Sequence, residues 1–263
     1  MAGQERASKI FRRAEIGFNE VELRENLSAI SIDPDHATRE YLELQLPVKA
    51  MSDLLYRSRL FSYLAAATPG LREMVTMGKI WELALKDRKR KGASPYDLVI
   101  VDAPATGHGV GFLQTPRNFA EIARVGPMAH QASTIDKTMT NRKRSGAVIV
   151  AIPEEMPVNE TASLERQLLD SVGISVDAIW MNALYPERFS PDELERIDGL
   201  LADGAESSGA LRAARDEALR AAAQRGQLER LRGLVETGVG ELPFVFAPAL
   251  GIGELEQLAE ALN

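Results

Sequence analysis

The chain has 263 residues, 45% of them hydrophobic, and a formal net charge of −7. That is enough to bury a sizeable core as one large α/β domain, and its acidity argues against a global nucleic-acid-binding surface. It contains no cysteine, which excludes disulfides, thiolate zinc sites and thiol nucleophiles.

The opening, MAGQERASKIFRR, is charged and lacks the apolar core of a secretory signal. No apolar run approaches the roughly 18 residues of a membrane span, so a cytoplasmic protein is expected. The first predicted strand is Ala29–Ile32. Asp33, Pro34, Asp35 and His36 follow it and read as a strand-to-helix turn, with His36 on the surface. Between Pro34 and Arg90 the Leu, Tyr, Met and Phe residues exceed what one surface helix needs. Several helices are therefore expected to pack as a subdomain, approximately residues 37–92. The charge run Lys86–Lys91 reads as a solvated helix end.

The stretch Tyr96–Leu113, YDLVIVDAPATGHGVGFL, is the most informative of the chain. Leu98–Val101 is continuously apolar and β-branched, which predicts a parallel strand covered on both faces. Asp102 then stands at the carboxyl end of that strand, the edge where open α/β sheets bind ligands. An acid there suits a hydrated Mg²⁺ beside a phosphate. Thr106, Gly107, His108, Gly109 and Gly111 read as a loop whose backbone N–H groups can approach an anion. Phosphate chemistry is the first hypothesis.

Thr115 and Pro116 lead into a helical stretch in which His130 reads as structural, and Lys137–Arg144 reads as a solvated loop. Further strands are predicted at Ala147–Ile152, Ala178–Met181 and Phe244–Phe246. Strands alternating with helices predict a mostly parallel sheet with crossover helices. Ser190, with Pro191, Asp192 and Glu193 behind it, is a helix N-terminus signal. A C-terminal helical region is expected over approximately 190–237, interrupted by a turn at Gly204–Gly209.

Three strand ends in order carry a resemblance. They are DAPATGH from Asp102, PEEMPVNET from Pro153, and NALYP from Asn182. Together they resemble the arsenical-pump ATPase family of P-loop NTPases, which includes the tail-anchored-protein targeting ATPases. The resemblance spans about Ala2 to the C-terminus and looks closest to an actinobacterial branch, through QERASKIF, TPGLREMVTMGKIWEL and ARVGPMAHQA. It implies a P-loop NTPase-like fold and an ATPase that uses Mg²⁺ with ATP. By that resemblance Asp102 opens the second switch and holds Mg²⁺ through water, while Thr106, Gly107 and His108 couple nucleotide state to subunit arrangement. Asn182 would hydrogen-bond the adenine edge, and Ala247, Pro248 and Ala249 would form the loop on the adenine ring. Glu154 and Glu160 fall in the family's PEE-x-PV-x-ET block.

The same family implies a homo- or heterodimer with another such ATPase, and membrane contact only through a client or partner. Without cysteines, neither arsenite thiolate ligation nor a paired CxxC zinc bridge is available. The phosphate-binding GxxxxGK[ST] loop occurs nowhere in the chain. In the family it lies upstream of the position matching Met1, so an N-terminal βαβ unit is expected to be missing. Asp33-Pro-Asp-His36 imitates the first switch, but it follows LSAISI, which matches a later family segment. In DAPATGH the proline stands one position from its usual place, while the spacing from Asp102 to Thr106 is kept. The expected function is an ATP-hydrolysing switch protein. The alternatives are a non-hydrolysing partner subunit of a paired ATPase and the product of a truncated gene model.

Overall fold

The computed structural model of the chain describes residues 6–13, 15–45, 58, 68–88, 94–123, 125–203 and 208–262. It is an α/β structure with a parallel three-stranded sheet and flanking helices, consistent with a P-loop NTPase-like fold. The residues pack as two compact units, 1–145 and 146–263.

The first unit opens with the short helix α1 (Ala7–Ile10) and a hairpin of β1 (Val21–Arg24) and β2 (Leu27–Ala29). These strands are antiparallel, joined by Glu25 and by Asn26 at φ 60°. Asparagine tolerates that left-handed conformation, which a tight hairpin demands. The strand predicted at Ala29–Ile32 therefore sits two residues earlier and pairs locally. Helices α2 (Pro34–Gln45) and α3 (Leu71–Leu83) follow, then α4 (Thr106–Ala123) and α5 (Pro127–Met139). Their core joins Met74 and Met77 of α3, Phe119 of α4, and Ala132 and Ile135 of α5. Of the predicted helical segment, residues 46–57, 59–67 and 89–92 lie outside the described residues.

The second unit holds β3 (Ala147–Ala151), β4 (Val176–Leu184) and β5 (Val239–Pro243) in the order β3-β4-β5, all parallel. Ile179 and Met181 at its centre are fully buried, each removing an apolar side chain from water at a gain of about 2–3 kcal/mol. Helix α6 (Glu155–Gln167) crosses from β3 to β4 and ends in a π-helical turn, Leu168–Val172, closed by Gly173 at φ 85°. Helices α7 (Pro191–Ala202), α8 (Ser208–Leu234) and α9 (Ile252–Glu260) complete the unit. Ser190 caps α7 through a reciprocal box with Glu193, as the sequence signal predicts. Along α8, Ala218, Ala221, Leu228 and Leu231 form one buried stripe. The helix packs on α6, α7 and β4.

Three expectations are corrected. Leu98–Val101 is not a strand, and Leu98 and Ile100 are exposed. An extended segment becomes a strand only where a neighbour takes its backbone hydrogen bonds. Among the described residues β1 and β2 pair only with each other, and β3, β4 and β5 among themselves. The last strand is Val239–Pro243, not Phe244–Phe246. Its Gly240 is needed because a Cβ there would lie 2.5 Å from the Trp180 ring. Lastly, of the Lys86–Lys91 run, residues 89–91 lie outside the described residues, Lys86 and Asp87 are exposed, and Arg88 is not solvated. Only 1% of the Arg88 side chain is exposed, and its guanidinium binds Glu20 at 2.7 Å and Glu82 at 3.3 Å.

Candidate functional site

Asp102 and the segment after it belong to the first unit. The Asp102 residue is exposed, and its carboxylate forms no ion pair among the described residues. The predicted loop over Thr106, Gly107, His108, Gly109 and Gly111 is instead the first turns of α4. Glycines weaken a helix by roughly 1 kcal/mol each, yet burial of Val110 and Phe119 in the unit's interior outweighs that preference. Gly109 has a further reason to be glycine. A Cβ there would stand 2.4 Å from the Pro104 carbonyl oxygen, closer than real carbon atoms approach. The chain thus doubles back tightly between Asp102 and α4. The first amides of a helix have no partner within it, so this segment presents a helix N-terminus where a loop was expected. Gly107 and His108 are exposed on that turn.

The imitation of a first switch is a helix cap. Asp33 Oδ1 accepts hydrogen bonds from the backbone N–H groups of Asp35 and His36, both at 3.0 Å, and lies 2.9 Å from His36 Nδ1. These bonds, led by the His36 amide, hold the Asp33 carboxyl below its ordinary range. His36 is exposed and stacks on Phe18 at 5.3 Å.

In the second unit the carboxyl ends of all three parallel strands emerge on one edge. Past β3, Glu154 is the exposed N-cap position of α6, and Glu160 is exposed on that helix. Asn182 lies near the end of β4, and Ala247, Pro248 and Ala249 follow β5, its parallel neighbour. Asn182 and the Ala247–Ala249 loop are thus brought to the same sheet edge. The Asn182 side chain is half-buried and its Oδ1 accepts the Ala183 N–H at 2.9 Å. Among the described residues its two amide N–H donors make no hydrogen bond. Ala183 has φ 63°, a left-handed conformation unusual for a residue with a side chain.

Beside Asn182 stands an aromatic cluster that sequence reasoning missed. Tyr185 lies 4.7 Å from Phe244 and 5.3 Å from Phe246, and Phe244 lies 4.8 Å from Phe246, between ring centroids. Arg188 covers Phe246 and Arg220 covers Tyr185, at 5.0 and 5.3 Å. The only sequence signal was aromatic residues just past two strand ends. On β5, Glu241 pairs with Arg225 and with Arg232, the latter at 2.9 Å. The Arg225 bond leads in holding the Glu241 carboxyl below its usual range.

Among the described residues no group of three or more His, Asp or Glu side chains could hold a metal ion. None of the described helices is long and apolar enough to cross a membrane.

The model of the anion-transporting ATPase family matches residues 7–130 and 120–198. The chain is 26% identical over 252 residues to ATPase BagA of Mycobacterium tuberculosis, covering 90% of this chain and 73% of that protein. It is 29% identical over 191 residues to ATPase GET3 of Kluyveromyces lactis, covering 60% of this chain and 54% of that protein. ATPase GET3 of Lachancea thermotolerans is 28% identical over 203 residues, covering 65% of this chain and 56% of that protein.

Proposed function

This chain belongs to the anion-transporting ATPase family, and from that premise we propose that it acts as an ATP-dependent conformational switch. Asn182 reads the adenine edge, since an asparagine amide can both donate to a purine ring nitrogen and accept from its exocyclic amine. The loop Ala247, Pro248 and Ala249 packs on the base. The observation that carries this reading is the exit of β4 and β5 on one edge of a parallel sheet, with Asn182 on one and the Ala-Pro-Ala loop after the other.

Asp102 acts on the phosphate side. An exposed carboxylate that belongs to no metal-ligating cluster among the described residues does not suit a cation held by protein alone. It does suit Mg²⁺ that arrives with a nucleotide and keeps most of its waters. When bound, that ion would neutralise charge on the transferring phosphoryl group. Thr106, Gly107 and His108, at the start of α4, move with the occupancy of the phosphate position and pass it to the rest of α4. Hydrolysis is attack of water on the γ-phosphate, and this chain contributes positioning and charge placement. No GxxxxGK[ST] occurs in these 263 residues, and the phosphate-holding lysine and the water-orienting group are assigned to none of them. The protein works in the cytoplasm as a homo- or heterodimer with another ATPase of the family, and meets membranes only through a client or partner.

Calorimetric titration with ADP and GDP in the presence of Mg²⁺ tests the reading. ADP is expected to bind in preference to GDP, and Asn182→Ala to remove the preference. A wild-type chain that binds neither nucleotide, even with a family ATPase added in trans, would point to a non-hydrolysing partner subunit.

A further inference from the structure

The end of β4 is held by a residue on a different element. The peptide unit joining Leu184 to Tyr185 is gripped from two sides. Its carbonyl, on Leu184, accepts the Phe244 N–H at 2.8 Å. Its N–H, on Tyr185, donates to Gln224 Oε1 at 2.8 Å. Gln224 lies in the middle of α8, 39 residues further along the chain. One peptide plane therefore links β4, the segment after β5, and α8.

The left-handed Ala183 lies between that plane and Asn182. Such a backbone persists only where its surroundings over-determine it. Here the determinants are the Asn182 side-chain Oδ1, which accepts the Ala183 N–H, and the doubly held plane on the other side. The β4–β5 register also shifts between Met181 and Leu184, so Asn182 receives no fixed orientation from a regular ladder. Tyr185 carries the constraint on, because its ring packs against Phe244 and Phe246. Phe246 leads directly into Ala247 and Pro248.

We infer that Gln224 is a positioning residue for the base-reading edge, setting the direction of Asn182 and the seat of the Ala247–Ala249 loop together through the Leu184–Tyr185 peptide. The inference deepens the nucleotide reading and rests on it for the identity of the ligand. The mechanical link itself is independent of any ligand. Removing the Gln224 acceptor leaves the Tyr185 N–H without a partner and frees Ala183 to return to the extended region. Asn182 then turns, and the aromatic cluster loosens its hold on the loop.

The test compares Gln224→Ala with Gln224→Glu, which keeps an acceptor oxygen at the same reach. Amide hydrogen exchange on the free chain should speed up by about tenfold in Gln224→Ala at Ala183, Tyr185 and Phe244, the loss expected for one partly buried hydrogen bond. Val158, on α6, should be unchanged, and Gln224→Glu should stay near wild type. Faster exchange confined to Tyr185, or Gln224→Glu behaving like Gln224→Ala, would overturn the inference. Titration with ADP and GDP is run on the same variants. If wild type prefers ADP, Gln224→Ala should lose most of that preference, and an undiminished preference also overturns the inference. If wild type binds neither nucleotide, the nucleotide reading fails, while the exchange pattern still decides whether Gln224 couples the two strand ends.

Discussion

Leu98–Val101 and Ala178–Met181 are both short apolar runs followed by a polar residue, Asp102 in one case and Asn182 in the other. In the second, Ile179 and Met181 are fully buried at the centre of a parallel sheet. In the first, Leu98 is 74% exposed and Ile100 is 85% exposed. The difference is the partner. Val176–Leu184 has a strand on each side, while Leu98–Val101 has none among the described residues. An apolar β-branched run expresses a need to be covered, and the covering has to come from elsewhere in the chain or beyond it.

The largest effect should come from placing a charge in each run. Met181→Asp buries an unpaired carboxylate and should cost about 4 kcal/mol or unfold the second unit, whereas Ile100→Asp should cost under about 0.5 kcal/mol. Urea unfolding monitored by tryptophan fluorescence measures both. A comparable loss in Ile100→Asp would mean that the first run is covered in solution, and the contrast would collapse.

A second measurement asks what keeps the paired strands in place. Glu165 is 2% exposed on α6 and accepts the backbone N–H groups of Glu236 at 3.1 Å and Thr237 at 2.8 Å, just before β5. Glu165→Ala leaves both donors without their acceptor and should cost about 2–3 kcal/mol, with Glu165→Gln, which keeps one oxygen, costing roughly half. Equal losses in the two variants would show that charge, and not the acceptor geometry, is what the loop requires.

The same contrast explains what could be read in advance. Runs such as Ala147–Ala151 were legible because β-branched residues and an ensuing helix signal agreed with one another. The cap at Ser190 was legible because its chemistry is local. Asp33 could be set aside as a turn because its neighbours on both sides fixed its place in the chain. What escaped depended on distant partners. Arg88 read as a solvated charge because Glu20, which holds it, lies 68 residues away. Gln224 had no signal at all, since nothing in a long helix rich in Ala, Arg and Glu marks the one glutamine that meets a strand end. The Thr106–Gly111 stretch read as a loop from its glycines, and tertiary packing overrode that propensity.

Those glycines give a smaller and more local test on the unpaired side. Gly109→Ala forces a Cβ against the Pro104 carbonyl and should destabilise the first unit by about 1–2 kcal/mol. Gly107 has open space around its Cβ position, so Gly107→Ala should be neutral or should stabilise α4 by up to about 1 kcal/mol. Thermal unfolding by circular dichroism separates them, and equal shifts would mean that the tight turn after Asp102 is not formed.

The smallest expected effect concerns what restrains the unpaired run. Tyr96, two residues before Leu98, donates its hydroxyl to Glu20, which also binds Arg88. The Arg88 hydrogen bond is the main cause lowering the Glu20 pKa from 4.5 to about 2. In the unfolded chain Glu20 takes up its proton near pH 4.5, while the folded protein resists until about pH 2. The stabilisation is therefore fully present above pH 4.5 and is lost as the pH falls through that window. Because Glu20 is partly open to solvent, the loss should amount to only about 1 kcal/mol. Urea unfolding of the first unit should show a stability step of that size as the pH falls from 4.5 to 2. Glu20→Gln should show the lower stability already at neutral pH and no further acid step. An acid step that survives in Glu20→Gln would assign the restraint to another carboxylate, with Glu82, on the same Arg88 guanidinium, the next to replace.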